Sequence, residues 1–266
     1  MKVFADLDLS RRLEHAEARA SAAFVEARAA ADAASGACWT SIAGAYAMFD
    51  GAGSPITQTF GLGLFDPVSP KEMDAIEAFF FARSADVDHE ISPLARKDLW
   101  DLLIDRGYRP VEFTSVLYLE IAGYEKTTVP VDIEVSRAEG CDLPIWAATA
   151  AKGWAEMGEF TGLMQIVVSS KCVVPFLAKI DGAPIATAAI NIQDDVALLA
   201  GGSTVPEARH RGAQRALLQA RLWHAERLGC RIAMMGAEPG SSSQRNAERE
   251  GFRIAYTRTK WRRKFV

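Results

Sequence analysis

The chain has 266 residues, of which 49% are hydrophobic and 24% charged, with 20 glycines and 11 prolines. That composition belongs to a globular protein and excludes a disordered, collagen-like or low-complexity chain. The formal net charge of -4 at pH 7 speaks against a general nucleic-acid coat. No apolar stretch approaches the roughly 18–20 residues that a membrane helix needs.

The start, MKVFADLDLSRRLEH, turns charged too early for a secretory signal, so a cytoplasmic protein is expected. Residues 9–34 predict an Ala-rich helix closed by Ser35-Gly36. Residues 44–51 and 57–65, bounded by Gly, Ser and Pro, predict paired strands. In SPKEMDAIEAFFFAR, Ser69 is an N-cap, Pro70 the first helical residue, and Met73, Ile76 and Phe80 recur at helical spacing. A short strand near Val87–Ile91, a helix through Lys97–Asp105 with Gly107 as its C-cap, and a strand from Tyr108 to Ile121 complete the first half. Residues 122–132, with Pro130, read as the connection between two domains, 1–125 and 131–266.

From Val131 a strand leads into a helix over 142–157 and a second near Phe160–Ser170. Strands follow over 173–180, 184–192 and 196–205, the first two joined by an Asp181-Gly182 hairpin turn. A helix from Gly212 to Leu228 carries an apolar stripe of Leu218, Leu222, Ala225 and Leu228, with Gly229 as C-cap. Residues 231–237 predict a strand, SSSQRNAERE a short helix, and GFRIAYTRTKW the last strand. RGYRPVEF at 106–113 and EGFRIAYT at 250–257 repeat one helix–Gly–aromatic–strand junction, a weak internal repeat.

The four cysteines, Cys38, Cys141, Cys172 and Cys230, lack CxxC or Cys/His spacing. Neither a metal site nor a disulfide framework is indicated, and buried free thiols are expected. The four histidines, His15, His89, His210 and His224, are equally dispersed, and His224 is expected at the surface. No HExxH, GxSxG or Walker pattern occurs, which removes the usual support for a zinc peptidase, serine hydrolase or P-loop NTPase. Charge is unevenly placed. Arg253, Arg258, Lys260, Arg262, Arg263 and Lys264 crowd the end of the chain, and RHRGAQR at 209–215 gathers further arginines. Such a distribution suits a local anionic ligand. For the tail alone, a solvated edge strand fits as well.

Residues 201–230 carry the chemistry: a strand, a Pro206-Glu207 turn, an Arg-rich loop and a long helix. The first turn of a helix leaves N–H groups without internal partners and concentrates positive potential there. Gly212 lets backbone and phosphate come close, and Arg209, Arg211 and Arg215 add guanidinium forks that suit phosphate oxygens. Arg209-His210-Arg211-Gly212-Ala213-Gln214, followed by Arg215-Ala216-Leu217-Leu218, resembles the pyrophosphate-binding motif of the GNAT acyltransferase superfamily, Gln/Arg-x-x-Gly-x-Gly/Ala. Asn246-Ala247-Glu248-Arg249-Glu250-Gly251-Phe252 resembles its second, helix-to-strand motif, and the resemblance covers about residues 131–266. The N-terminal half resembles a degenerate copy. It keeps Gly107-Tyr108 but has Asp66–Pro70 where the Arg-x-x-Gly loop belongs, so no second pyrophosphate site is expected.

The resemblance implies a tandem GNAT-like α/β fold, a mixed, mostly antiparallel sheet flanked by helices. It implies an acyl-coenzyme A co-substrate, usually acetyl-coenzyme A, and direct N-acyl transfer to a primary amine on a small molecule or peptide. No metal, nucleic acid or membrane partner is expected; a homodimer is left open. The loop N–H groups of Arg211, Gly212, Ala213, Gln214, Arg215 and Ala216 would hold the pyrophosphate, with Arg209 beside them. Ser203, Thr204 and Val205 would pair with the pantetheine arm, and an N–H of that strand would stabilise the developing oxyanion. Ser241, Ser243 and Asn246 would lie near the pantetheine and thiol end.

Two departures stand out. Gln214 replaces Gly or Ala; a side chain there can point outward, and its amide can donate a hydrogen bond. Ala247 stands where many members have a Tyr that protonates the leaving thiolate. A thiol pKa of about 8.5 makes that acid helpful rather than obligatory. Tyr256 is either a substitute acid or a core tyrosine. Glu238, after the apolar strand, is either the general base or an exposed turn carboxylate. Trp146, Trp154, Phe160 and Met164 either line an acceptor pocket or form core. Ala247 also leaves room for an alternative: an acyl-coenzyme A-binding module without chemistry.

Overall fold

The computed structural model describes residues 3–122, 124, 128, 130–156 and 158–265. The chain divides into two compact units, Met1–Tyr118 with Gly236–Val266, and Leu119–Met235. The expected connection, residues 122–132, falls inside the second unit rather than at the division between Tyr118 and Leu119, and its residues 123, 125–127 and 129 lie outside the described residues.

In the first unit, α1 (Leu7–Ala31) starts where the Asp6 carboxylate accepts the Leu9 N–H at 2.9 Å. It stops short of residue 34 because the Asp32 side chain accepts the Ala34 N–H at 2.9 Å, turning the backbone out of the helix. β1 (Cys38–Ile42), which sequence periodicity does not reveal, pairs with β2 (Ala45–Phe49) across Ala43 and Gly44, both at positive φ. β2 pairs in turn with β3 (Gln58–Phe60), which ends earlier than expected because Gly61 and Gly63 take φ of +81° and +74°. α2 (Pro70–Phe81) begins in the capping box of Ser69 and Glu72. β4 (Val87–Ile91), α3 (Lys97–Asp105) and β5 (Arg109–Glu120) follow.

The second unit contains β6 (Glu134–Arg137), α4 (Asp142–Trp154), α5 (Thr161–Ser169), β7 (Val173–Ile180), β8 (Ala183–Gln193), β9 (Val196–Thr204), α6 (Ala213–Arg227) and most of β10 (Ile232–Ala237). Its strand order is β10-β9-β8-β7-β6, antiparallel except for β9–β10. Asp181 and Gly182, at φ +49° and +76°, form the expected β7–β8 turn. Trp146, Ala150, Met164 and Leu177 centre its core.

α7 (Ser242–Arg249) and β11 (Arg253–Arg263) complete the first unit, whose order is β1-β2-β3-β4-β11-β5. Only β3–β4 is parallel here. Each unit therefore holds one parallel pair joined by a strand–helix–strand crossover, β3-α2-β4 and β9-α6-β10. Alternate residues of β2 serve two layers: Ala45, Ala47 and Phe49 join Met73, Ile76, Phe80 and Leu103 from α2 and α3, while Met48 meets Ala18, Ala22 and Val25 of α1.

The basic tail is neither a solvated edge nor an anion site. β11 lies between β4 and β5, its Arg258, Lys260, Arg262 and Arg263 meet carboxylates of the first unit, and Arg253 lies over the Tyr118 ring. Arg258 pairs with Glu17 at 2.6 Å and Glu90 at 3.0 Å, Arg262 with Asp88 at 2.6 Å, and Arg263 with Glu77 at 2.7 Å. Other expectations are corrected as well. Cys141 and Cys172 are exposed beside turns, whereas Cys230 is the buried thiol. Leu228 is 59% exposed because the helix ends there, and His224 packs edge-on against Phe176 at 5.7 Å between ring centres.

Candidate active site

β9 carries the candidate site. Its parallel ladder with β10 covers Val196–Leu198 against Ile232–Met234, and β9 continues beyond that ladder to Thr204. On the other side, Ala189 faces Ala200 but Thr187 faces Ser203. Ala188 is thus opposed by both Gly201 and Gly202, the two-against-one arrangement of a β-bulge. Gly201 takes φ +61°, and a Cβ there would stand 3.3 Å from the Trp146 ring. Backbone conformation and packing both demand glycine.

Side chains of the flanking helices hold the carbonyls around this bulge. Trp146, fully buried on α4, donates its Nε1–H to Ala188 O at 3.1 Å and to Phe176 O at 2.9 Å. Gln214 of α6 donates Nε2–H to Ser203 O at 2.7 Å, Thr204 Oγ1 at 3.1 Å and Thr187 O at 3.3 Å. Its amide donates, as the sequence allows, but the side chain points inward rather than outward. Thr187 donates Oγ1–H to Gly201 O at 3.2 Å, and its hydroxyl lies 3.0 Å from that of Ser203. Ser203 is buried, with Oγ 3.2 Å from Ala150 O, and a Cβ added at Gly153 of α4 would stand 2.6 Å from that Oγ. Val205 N–H bonds Ile185 O at 2.9 Å. The Ser203 hydroxyl and carbonyl and both main-chain groups of Val205, whose carbonyl accepts the Ala208 N–H at 3.0 Å, are thus engaged within the protein.

After the short 3-10 turn Pro206–Ala208, His210 and Gly212 at φ +66° and +90° swing the chain into α6. Gly212 is the N-cap and brings no side chain to the first-turn N–H groups. At α2, by contrast, the Glu72 carboxylate accepts the Ser69 N–H at 2.9 Å, so the place an anion would take at that helix start is filled. Space on the Cβ side of Gly212 belongs to Pro130, whose Cγ would lie 2.8 Å from an added Cβ. Arg209 pairs with Glu156 at 2.9 Å and Arg211 with Asp132 at 3.0 Å, at well-exposed positions. Of the loop donors expected for pyrophosphate, Ala216 is already engaged, its N–H closing the first turn on Gly212 O at 3.1 Å.

The remaining site residues belong to the first unit. Glu238 is exposed, and its carbonyl accepts the Ser241 N–H at 3.1 Å in the turn after β10. Ser241 caps α7 by accepting the Gln244 N–H at 3.2 Å; Ser243 is exposed, and Asn246 accepts from Arg249 at 2.9 Å. Ala247 is buried, at 3% exposure. Tyr256 donates its hydroxyl to Glu14 at 2.8 Å inside the buried cluster that Arg258 centres. Burial pushes the Tyr256 hydroxyl well above its ordinary pKa, and pushes Glu14 up to about 7 against the pull of Arg258. That arrangement commits the Tyr256 proton to Glu14 and favours a buried structural tyrosine over an acid.

Trp146 and Met164 are core, with Phe160 packed against them and Trp154 edge-on to Phe160 at 6.1 Å. Sequence reasoning missed Gly201, Thr187 and Arg221 around the bulge. The Gly201-Gly202 pair within a strand was a usable signal.

Residues 144–252 match the model of the Acetyltransferase (GNAT) family. No curated protein matches the chain. Among solved structures, a GCN5-related N-acetyltransferase from Kribbella flavida superposes with a TM-score of 0.66 at 18% identity, covering 92% of this chain and 94% of that one. One from Sphaerobacter thermophilus gives 0.60 at 18% identity, over 83% and 76%. A tandem GNAT protein from the clavulanic acid biosynthesis pathway gives 0.59 at 12% identity, over 84% and 78%. Residues 144–252 thus carry a domain of the GNAT acetyltransferase family, within a chain that has the fold of these structures.

Proposed function

We propose that the chain is an acyl-coenzyme A-dependent N-acyltransferase, moving an acetyl group to a primary amine by direct transfer. The observation that carries this reading is the bulged strand β9, which outruns its β10 ladder and leads into an Arg-flanked helix start without an N-cap side chain. The GNAT match over 144–252, a family that uses acetyl-coenzyme A, supports it. The diphosphate would meet the main chain at the start of α6, with Arg209 and Arg211 released from Glu156 and Asp132 to face it. The pantetheine would run along β9 from Ser203 to Val205.

In the reaction, the neutral amine attacks the thioester carbonyl carbon as the C–N bond forms. A bulge N–H of β9 stabilises the oxyanion. The C–S bond then breaks and the thiolate leaves without a protein acid, consistent with Ala247 and with Tyr256 held by Glu14. Glu238, exposed after β10, takes the amine proton directly or through water. Thiol release from acetyl-coenzyme A across a panel of amines tests the reading. Amine-dependent release is expected. Donor binding without release on any amine would instead support the non-catalytic module, for which the absent tyrosine at 247 is the relevant observation.

A further inference from the structure

α6 carries one charge that its surroundings do not explain. Arg221 is 6% exposed and lies between Leu217 and Ala225 at helical spacing, on the face turned to the sheet. Among the described residues it meets no carboxylate. Its Nε–H donates to Leu217 O at 3.2 Å, and Nη1–H donates to Ala189 O at 3.2 Å and Ala200 O at 3.4 Å. Burial lowers its pKa to about 10, so it stays charged at neutral pH. A buried cation answered by carbonyls alone contributes little to stability, and an apolar side chain of similar size would serve the fold as well or better.

The placement relative to the bulge is specific. Gln214 binds the carbonyls of Thr187 and Ser203, the register pair on one side of Ala188. Arg221, two helical turns on, binds those of Ala189 and Ala200, the pair on the other side. Ala200 O belongs to the same peptide unit as the Gly201 N–H. A cation on that oxygen both fixes the plane of the peptide and strengthens its N–H as a donor.

We propose that Arg221 is a positioning residue of the acyl-transfer site, orienting and polarising the Ala200–Gly201 peptide so that the β9 bulge presents its N–H to the thioester carbonyl. The inference rests on the acyltransferase reading. It goes beyond it by assigning a role to a side chain outside the donor-binding loop. Because α6 also begins at that loop, donor binding and oxyanion geometry are set by one rigid element.

The test is the carbonyl signal of [1-13C]acetyl-coenzyme A bound to the full chain, compared between the parent, Arg221→Met and Arg221→Lys. The parent is expected to move the bound carbonyl signal away from its free position. Arg221→Met should at least halve that displacement and lower kcat about tenfold or more, with the donor Kd within about threefold and the Tm not lowered. Arg221→Lys, which keeps charge but not the fork, should fall between, and serves alone if the methionine variant does not fold. An undiminished displacement in either variant would overturn the role of Arg221 while leaving the acyltransferase reading in place. A parent chain that binds no acetyl-coenzyme A would overturn both.

Discussion

Gly212 is required by two independent features, φ +90° and the Pro130 ring beside it. Gly212→Val is therefore expected to lower stability by about 1–3 kcal/mol and donor affinity about tenfold or more, since the loop must shift to admit a branched Cβ. Thermal unfolding and calorimetry measure both, and unchanged donor affinity would remove this loop from the site. Glu238→Gln separates base from turn residue. As a base, its loss should lower kcat about tenfold or more with donor affinity unchanged; an unchanged kcat would leave Glu238 a turn carboxylate. At this scale the turn into α6 was legible, because a glycine just ahead of a helix is a local signal. The inward turn of Gln214 and the hold of Glu14 on Tyr256 were not visible, since their partners are set by strand register and by a helix far upstream.

The helices α3 and α7 end in one geometry. Tyr108 N–H reaches Leu103 O at 3.0 Å after Gly107, and Phe252 N–H reaches Ala247 O at 3.0 Å after Gly251, so the repeated Gly–aromatic junction is a Schellman-type helix stop used twice. Strands were less legible. β1 shows no clear alternation, and nothing in GFRIAYTRTKW tells that its cations face carboxylates on α1 and β4. Where α1 meets β11, Glu14 ties stability to pH. Its folded pKa of about 7 lies above the ordinary 4.5, so the folded chain holds this proton more tightly than the unfolded chain does. The contribution of Glu14 is then fully present below about pH 4.5 and lost as pH rises towards 7. Glu14→Gln keeps an acceptor for Tyr256 without the titration. Its Tm should gain on the parent's between acidic and mildly alkaline buffer, whereas a difference independent of pH would contradict the shift.

For the whole molecule, the sequence reads as two consecutive domains, 1–125 and 131–266. The compact units instead join Gly236–Val266 to the N-terminal residues, because β11 takes its ladders from β4 and β5. Long-range strand pairing of this kind has no local signature. A fragment of residues 131–266 is therefore expected to be insoluble or to unfold without cooperativity, with β11 stripped of its partners and its buried arginine of its carboxylates. A soluble fragment with a sharp thermal transition would contradict that dependence. The two crossovers differ where function is concerned, since α2 begins with a filled cap and α6 with a bare glycine. Calorimetric titration of the full chain with acetyl-coenzyme A tests that contrast most directly. One molecule bound per chain is the predicted result; no binding, or two molecules bound, would contradict it.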